Sequence, residues 1–247
     1  MKLEDVRFAV TGAASGLGRA AVCFLVEHGA KVAAMDVDHE GLMSLKREVA
    51  GRIHTYVVDV AQEEQVVRAV RQADDDLGHV NGLLNYAGLF RDGVLVRPGG
   101  IKHPLVQWKK VIDVDLTGTF LMVREVASAM LASRTREGVI ILISSISRHG
   151  NVGQGSYSAA KAAVTVDARV WARELASYGI RVGAISPGLF ETPILDAIHT
   201  PILEGYVRRI PLGRLGKPEE LSHALRFIIE CGYFTGECVE VNGGFYF

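Results

Sequence analysis

Cysteine is scarce in this sequence, and long apolar runs are absent. The three cysteines, Cys23, Cys231 and Cys238, are odd in number and widely spaced. No disulfide framework is expected, and a reducing, cytoplasmic setting is. None lies in a Cys-x-x-Cys or Cys/His pattern, and the eight histidines are scattered, so no metal site is expected. No apolar run approaches the roughly 20 residues of a membrane span. Residues 1–5 include two acidic side chains, which argues against a secretory leader. An excess of one charge is also missing. Lys plus Arg total 27 and Asp plus Glu total 28, which leaves no electrostatic footprint for nucleic acid. Membrane, collagenous and disordered classes are thereby excluded, and a chain of 247 residues is long enough to bury a large core without staples.

What is present is a pattern whose period alternates between two and 3.6. Short apolar runs occupy residues 6–11, 30–35, 53–58, 83–84, 139–143, 180–185 and 237–241. Helical patterns lie between them, among them residues 17–27, 63–77, 108–132 and 157–178. Strands that alternate with helices predict βαβ units and a mostly parallel sheet. Strands apolar on every residue predict a sheet covered on both faces. No Pro/Ser-rich linker and no 20–50-residue repeat divides the chain. The expectation is one α/β/α domain over residues 1–247, with its ligand crevice at the carboxyl ends of the strands.

The residues that follow the strands carry the chemistry. Thr11-Gly12-Ala13-Ala14-Ser15-Gly16-Leu17-Gly18 joins the first strand to the first helix. Small residues here let backbone N–H groups approach a pyrophosphate, and the helix N-terminus adds partial positive charge. The spacing is G-x-x-x-G-x-G, not the commoner G-x-G-x-x-G, and an ordinary strand-to-helix turn is the alternative. Asp36 ends the second strand. A carboxylate at that place accepts ribose hydroxyls and repels a 2′-phosphate, which favours NAD over NADP. Its alternative role is the cap of the next helix, which Asp38 could supply equally well. Tyr157 and Lys161 stand at i, i+4 on a helical stretch and so share a face. A phenol ionises near pH 10, and an adjacent ammonium lowers that by roughly 1–3 units, which suits Tyr157 as a proton donor to a carbonyl oxygen.

With these motifs, Asp59-Val60, Asn85-Tyr86-Ala87-Gly88, Pro187-Gly188, Thr192 and Val241-Asn242-Gly243-Gly244, the chain resembles the short-chain dehydrogenase/reductase family over essentially its whole length. Residues 91–95, 150–154 and 210–214 carry a closer similarity to 3-oxoacyl-carrier-protein reductases and 3-hydroxyacyl thioester dehydrogenases. The resemblance implies a doubly wound, Rossmann-type fold with a mostly parallel seven-stranded sheet. It implies an NAD(H)-dependent interconversion of a carbonyl and a secondary alcohol, and a homotetramer or homodimer. Gly12, Ser15, Gly16, Leu17, Gly18 and Asp36 would bind the cofactor. Asp59 and Val60 would flank its adenine, and Asn85, Ala87 and Gly88 would line the nicotinamide ribose. Tyr157, Lys161, Pro187, Gly188 and Thr192 would complete the cofactor site. A serine would hold the substrate carbonyl. Counting back 13 residues from Tyr157 selects Ser144, whereas strand register selects Ser145, the favoured choice. The first substrate expected is a 3-oxoacyl or 3-hydroxyacyl thioester. A small polyol, sugar or cyclic alcohol is the alternative, and a weakly catalytic NAD-binding scaffold or sensor is the rival from another class.

Three departures from the family pattern stand out. Asp115 occupies the place of the family's usual asparagine, so it is added to the candidate catalytic set with the proton relay in question. Tyr86 replaces a small residue, where its ring either narrows the cofactor pocket or packs on a helix. Residues 96–104 form a connection longer than usual, expected as a variable loop. The aromatic C-terminus, residues 245–247, and the small-residue helix, residues 159–176, are expected at subunit contacts. In the segment 189–209, Ile194, Leu195, Ile198 and Leu203 suggest a partly apolar lid, while Glu191, Asp196 and Glu204 give no welcome to an acidic carrier protein.

Overall fold

The computed structural model describes residues 1–91, 93–193, 195 and 200–246, without the Ile202 side chain. Ile194, Asp196 and Ile198 of the expected lid, and Phe247 of the aromatic tail, lie outside the described residues. The first half of the chain alternates strictly: β1 (Arg7–Thr11), α1 (Gly16–Glu27), β2 (Lys31–Asp36), α2 (His39–Glu48), β3 (Ile53–Val57), α3 (Glu63–Leu77) and β4 (Gly82–Asn85). A two-stranded hairpin follows, β5 (Val96–Arg97) and β6 (Ile101–Lys102), then α4 (Leu105–Ile112) and α5 (Gly118–Ala132). The rest comprises β7 (Gly138–Ile143), α6 (Gly155–Leu175), β8 (Ile180–Pro187), α7 (Thr200–Val207), α8 (Pro218–Glu230) and β9 (Cys238–Val241).

Seven strands form one sheet in the order β3-β2-β1-β4-β7-β8-β9, and each pairing is parallel. Period two divides the side chains between two cores. Phe8, Val10, Val139 and Ile141 pack under α1, α2 and α8. Ala9, Ile140 and Leu142, one residue out of phase, pack under α3, α5 and α6. Strand order reverses between β1 and β4, which opens a crevice at their carboxyl ends. Thr11 and Asn85 are in register there. On the α8 side, the guanidinium of Arg181 donates to the carbonyls of Ile228 (2.7 Å), Ile229 (2.8 Å) and Phe234 (3.0 Å). It thus satisfies orphan groups that the end of a helix leaves open.

The fold differs from the sequence reading in three places. The helical pattern over residues 108–132 is not one helix. A π-helical turn, Asp113–Thr117, separates α4 from α5. The Thr119 hydroxyl donates to the Asp115 carbonyl at 2.7 Å, a side-chain bond that competes with the regular ladder. Gly118 lies so close to Val60 that a Cβ would stand 2.7 Å from its methyl. Residues 96–104 are no plain loop. Val96 pairs with Lys102 and Arg97 with Ile101, around a turn with Gly99 at φ +84° and Gly100 at φ +75°, a backbone that side chains resist. Of the aromatic C-terminus, Phe245 is buried within its own chain with Ile146 and Ile210, so the burial of that ring needs no second subunit.

Candidate active site

The glycine loop is held by contact between two backbones. Gly12 has φ +63°, and a Cβ on it would stand 2.8 Å from the Ala87 nitrogen and the Tyr86 carbonyl carbon. A Cβ on Gly18 would overlap the Gly12 carbonyl. Ser15 is the N-cap residue of α1, Leu17 packs on the core, and Gly16 faces the Thr192 methyl at 3.8 Å from its ideal Cβ position. Thr192 thus reaches the loop from beyond β8. The Asp36 carboxylate accepts the Ala14 N–H through Oδ2 (2.9 Å) and the Asp38 N–H through Oδ1 (3.0 Å). Asp38, not Asp36, caps α2 by accepting the Gly41 N–H at 3.0 Å. Sequence reasoning missed Arg19, which ties the loop to α2. Its guanidinium donates to the Ala14 carbonyl, the Ser44 hydroxyl and the Glu48 carboxylate, so the cation beside the loop is engaged. Asp59 Oδ1 accepts the Ala61 N–H at 3.0 Å, and Val60 is buried against the start of α5.

At the switch point a buried chain of hydrogen bonds links four elements. Ala87 N–H donates to Thr11 Oγ1 (3.0 Å), which donates to Asn85 Oδ1 (2.8 Å). The Asn85 amide donates to Thr119 Oγ1 at 2.9 Å, and Thr119 in turn holds the Asp115 carbonyl. Tyr86 points away from this chain, into the core beside α1 and α8, and burial pushes its phenol up. Of the two placements expected for that ring, packing on a helix is the one observed.

Tyr157 and Lys161 stand one turn apart near the start of α6. The Lys161 ammonium lies 5.5 Å from the Tyr157 ring centroid, donates to the Ile143 carbonyl at 3.0 Å and is 3.8 Å from Asp115 Oδ2. Phe90 meets the Tyr157 ring edge-on, 5.4 Å between centroids. Burial pushes the Asp115 carboxyl up, while the charge of Lys161 and the Leu89 N–H pull the other way. Gly88 fits beside both groups: its ideal Cβ would be 3.4 Å from Asp115 Oδ1 and from Lys161 Nζ. The two serines after β7 are separated by their surroundings. Ser144 is buried, its hydroxyl donating to the Lys161 carbonyl (2.8 Å) and lying 3.0 Å from Thr165 Oγ1. Ser145 is partly exposed, and its Oγ accepts the Ser147 N–H at 3.1 Å. Pro187 ends β8 buried. Gly188 donates to the Val241 carbonyl at 2.8 Å and packs so tightly on Asn242 that a Cβ would lie 2.7 Å from its Cα.

Behind the serine, the short turn Ile146–His149 is braced by a residue about ninety positions away. Glu240 accepts from Arg148 (2.6 Å), Tyr246 (2.6 Å) and Asn242 (3.3 Å), with His149 Nε2 at 3.0 Å. Burial alone would raise the Glu240 carboxyl. Hydrogen bonds from Tyr246, His149 and Arg148, with the charge of Arg148, outweigh it and hold the carboxyl down at about 2. A carboxyl depressed in the fold contributes stability above its unfolded value and loses it as pH falls through the folded value. Glu240→Gln should therefore cost about 1–2 kcal/mol near neutrality, the shift being discounted for partial solvent screening. Urea titrations should show that difference shrinking as pH falls from about 4.5 to about 2. A difference constant with pH would remove the ionised brace.

Among the described residues no group of His, Cys, Asp and Glu could hold a metal ion, and no helix is long and apolar enough to cross a membrane. A family model described as enoyl-(acyl carrier protein) reductase matches residues 12–246. A short-chain type dehydrogenase/reductase of Mycobacterium marinum superimposes with TM-score 0.89 at 29% identity, covering 98% of this chain and 96% of that one. The chain belongs to the short-chain dehydrogenase/reductase family. This short-chain dehydrogenase/reductase is 38% identical over 250 residues to a 3-oxoacyl-[acyl-carrier-protein] reductase of Thermotoga maritima, covering 99% of each chain. It is 34% identical to a (3R)-3-hydroxyacyl-CoA dehydrogenase of Canis lupus familiaris, covering 100% of this chain and 98% of that protein. A crystal structure of a 3-hydroxyacyl-CoA dehydrogenase type-2 from Mycobacterium avium superimposes with TM-score 0.92 at 32% identity, covering 99% and 97% of the two chains. The enzyme is therefore an oxidoreductase acting on hydroxyl and carbonyl groups, from a family that uses nicotinamide cofactors.

Proposed function

We propose that this enzyme interconverts a 3-oxoacyl and a 3-hydroxyacyl thioester with NAD(H). The observation that supports the reading is Lys161, one helical turn from Tyr157, donating to the Ile143 carbonyl at the carboxyl end of β7, two residues before partly exposed Ser145. The protein fits a dinucleotide: Gly12 and Gly18 leave no room for a Cβ against backbone, and the Asp36 carboxylate is directed at the loop through Ala14. Residues 12 and 15–18 with Asp36 would hold the adenosine half, Asp59 and Val60 its adenine. Asn85, Ala87, Gly88, Tyr157, Lys161, Pro187, Gly188 and Thr192 would hold the nicotinamide half. When bound, the nicotinamide supplies or accepts the hydride. Tyr157 gives its proton to the substrate oxygen in reduction and recovers it in oxidation. Ser145 holds that oxygen by a hydrogen bond. Lys161 favours the phenolate by its charge and holds ribose hydroxyls.

Asp36 supports NAD over NADP, because a carboxylate repels a 2′-phosphate and Arg19 is engaged by Glu48. The names of the relatives support the thioester, and exposed Glu191 and Glu204 favour a small thioester over an acidic carrier protein. We read residues 1–247 as one catalytic domain of a cytoplasmic homotetramer or homodimer. Phe120, Val166 and Val170, exposed on α5 and α6, support subunit pairing. The test is oxidation of NADH and NADPH, in parallel, with a short 3-oxoacyl thioester. Turnover with NADH and little with NADPH is expected. Tight NADH binding without thioester turnover would retire the substrate and direct the search to small alcohols. Failure to bind either cofactor would overturn the reading.

A further inference from the structure

The least ordinary group in the molecule is the Asp115 carboxylate. It has no exposed surface. Oδ1 accepts the Leu89 N–H, whereas Oδ2 is buried without a hydrogen-bond partner among the described residues. That oxygen lies 3.8 Å from the Lys161 ammonium, itself buried. A neutral side chain at this position would leave the field of the Lys161 ammonium uncompensated, and a carboxylate offsets that field.

We propose that Asp115 is the counter-charge of Lys161 and thereby sets the pH at which Tyr157 gives up its proton, holding it higher than a neutral side chain at 115 would. The inference rests on Tyr157 being the proton-transfer group. Among the described residues, Lys161 is the charged side chain that faces Asp115, from α6. The segment after β4 faces it with the backbone of Gly88 and Leu89, and α5 with the Thr119 hydroxyl, bonded to the Asp115 carbonyl. Asp113, on the same π turn, is exposed. Tyr157, one helical turn from Lys161, carries the titrating phenol. A lone ammonium near a phenol favours the phenolate, and a carboxylate against that ammonium weakens the effect. The charge of Lys161 and the Leu89 N–H favour the ionised Asp115 carboxyl that burial opposes. An anionic carboxylate and an anionic phenolate beside the same ammonium resist each other. Asp115 touches neither substrate nor cofactor in this scheme; it acts through Lys161 as a positioning and tuning residue.

The experiment is an ultraviolet difference titration of the Tyr157 phenol, isolated by subtracting Tyr157→Phe from the parent protein, on the ligand-free full chain. Asp115→Asn keeps an oxygen for the Leu89 N–H and removes the charge. It should lower the midpoint by about one pH unit. The rising limb of the pH profile for alcohol oxidation should move in the same direction, giving up to about tenfold faster oxidation below it. Asp115→Ser, smaller and also neutral, should move the midpoint the same way, which separates charge from shape. Midpoints that stay where they are, or rise, in both variants would overturn the proposal and leave Asp115 as a structural acceptor for Leu89. The titration needs no substrate, so a wrong thioester assignment cannot mimic that failure. A parent protein whose Tyr157→Phe variant turns over normally would instead sink the underlying assignment of Tyr157.

Discussion

Replacing Tyr157 by phenylalanine is expected to lower kcat by about three orders of magnitude, within the range of a lost general acid or base. The substitution removes one oxygen and no ring. The edge-on contact with Phe90 and the place of the Lys161 ammonium over the ring need only the aromatic carbons. Fold and thermal stability should therefore stay close to those of the parent, and NADH should still bind. The loss should fall on kcat, because the hydroxyl matters chiefly as the proton moves. Steady-state kinetics with a short 3-oxoacyl thioester, with NADH binding followed by fluorescence, check both halves. A variant with a tenth or more of the parent turnover would show that another group moves the proton.

The second large effect concerns Asp36. Asp36→Asn keeps an acceptor for the Ala14 N–H, so the loop should retain its shape. What disappears is the charge. Hydrogen bonds to an ionised group contribute about 1.5–3 kcal/mol, which corresponds to roughly 10–150-fold in kcat/KM for NADH. Removing the carboxylate also lifts the repulsion of a 2′-phosphate. The ratio of kcat/KM for NADH to that for NADPH should fall by about 100-fold, with NADPH gaining less than NADH loses, because Arg19 stays bound to Glu48 and the Ala14 carbonyl. An unchanged ratio would mean that Asp36 serves only to hold the Ala14 and Asp38 backbone.

The order of elements and the glycine loop could be read along the chain, since both are local. Apolar runs such as residues 139–143 and the helical period of residues 63–77 each express one element's burial, which needs no knowledge of its neighbours. Tyr157 and Lys161 were legible for the same reason: four residues on a helix bring two side chains to one face. The π turn was not legible, because it depends on Thr119 capturing the Asp115 carbonyl and on Gly118 meeting Val60 from beyond β3. A periodicity that passes smoothly through residues 108–132 carries no trace of either. The brace on the serine turn was hidden for a related reason, since Glu240 and Arg148 are far apart in the chain and meet only where β9 lies beside β8.

Fold class, the glycine loop, Asp36 and the Tyr157/Lys161 pair were therefore written in local pattern, where spacing along the chain fixes spacing in space, while the other candidate residues rested on family resemblance. Distances between elements were settled only by packing. The packing of α6 beside the end of β7 buries the Ser144 hydroxyl on the Lys161 carbonyl and Thr165 and leaves Ser145 partly exposed, although the two serines are neighbours with identical side chains. The crossing of the π turn with α6 places a buried carboxylate 3.8 Å from Lys161, although 46 residues separate them in the chain. Electrostatic interaction falls with distance through space and is strengthened by burial, and neither quantity exists until the helices have closed over the sheet.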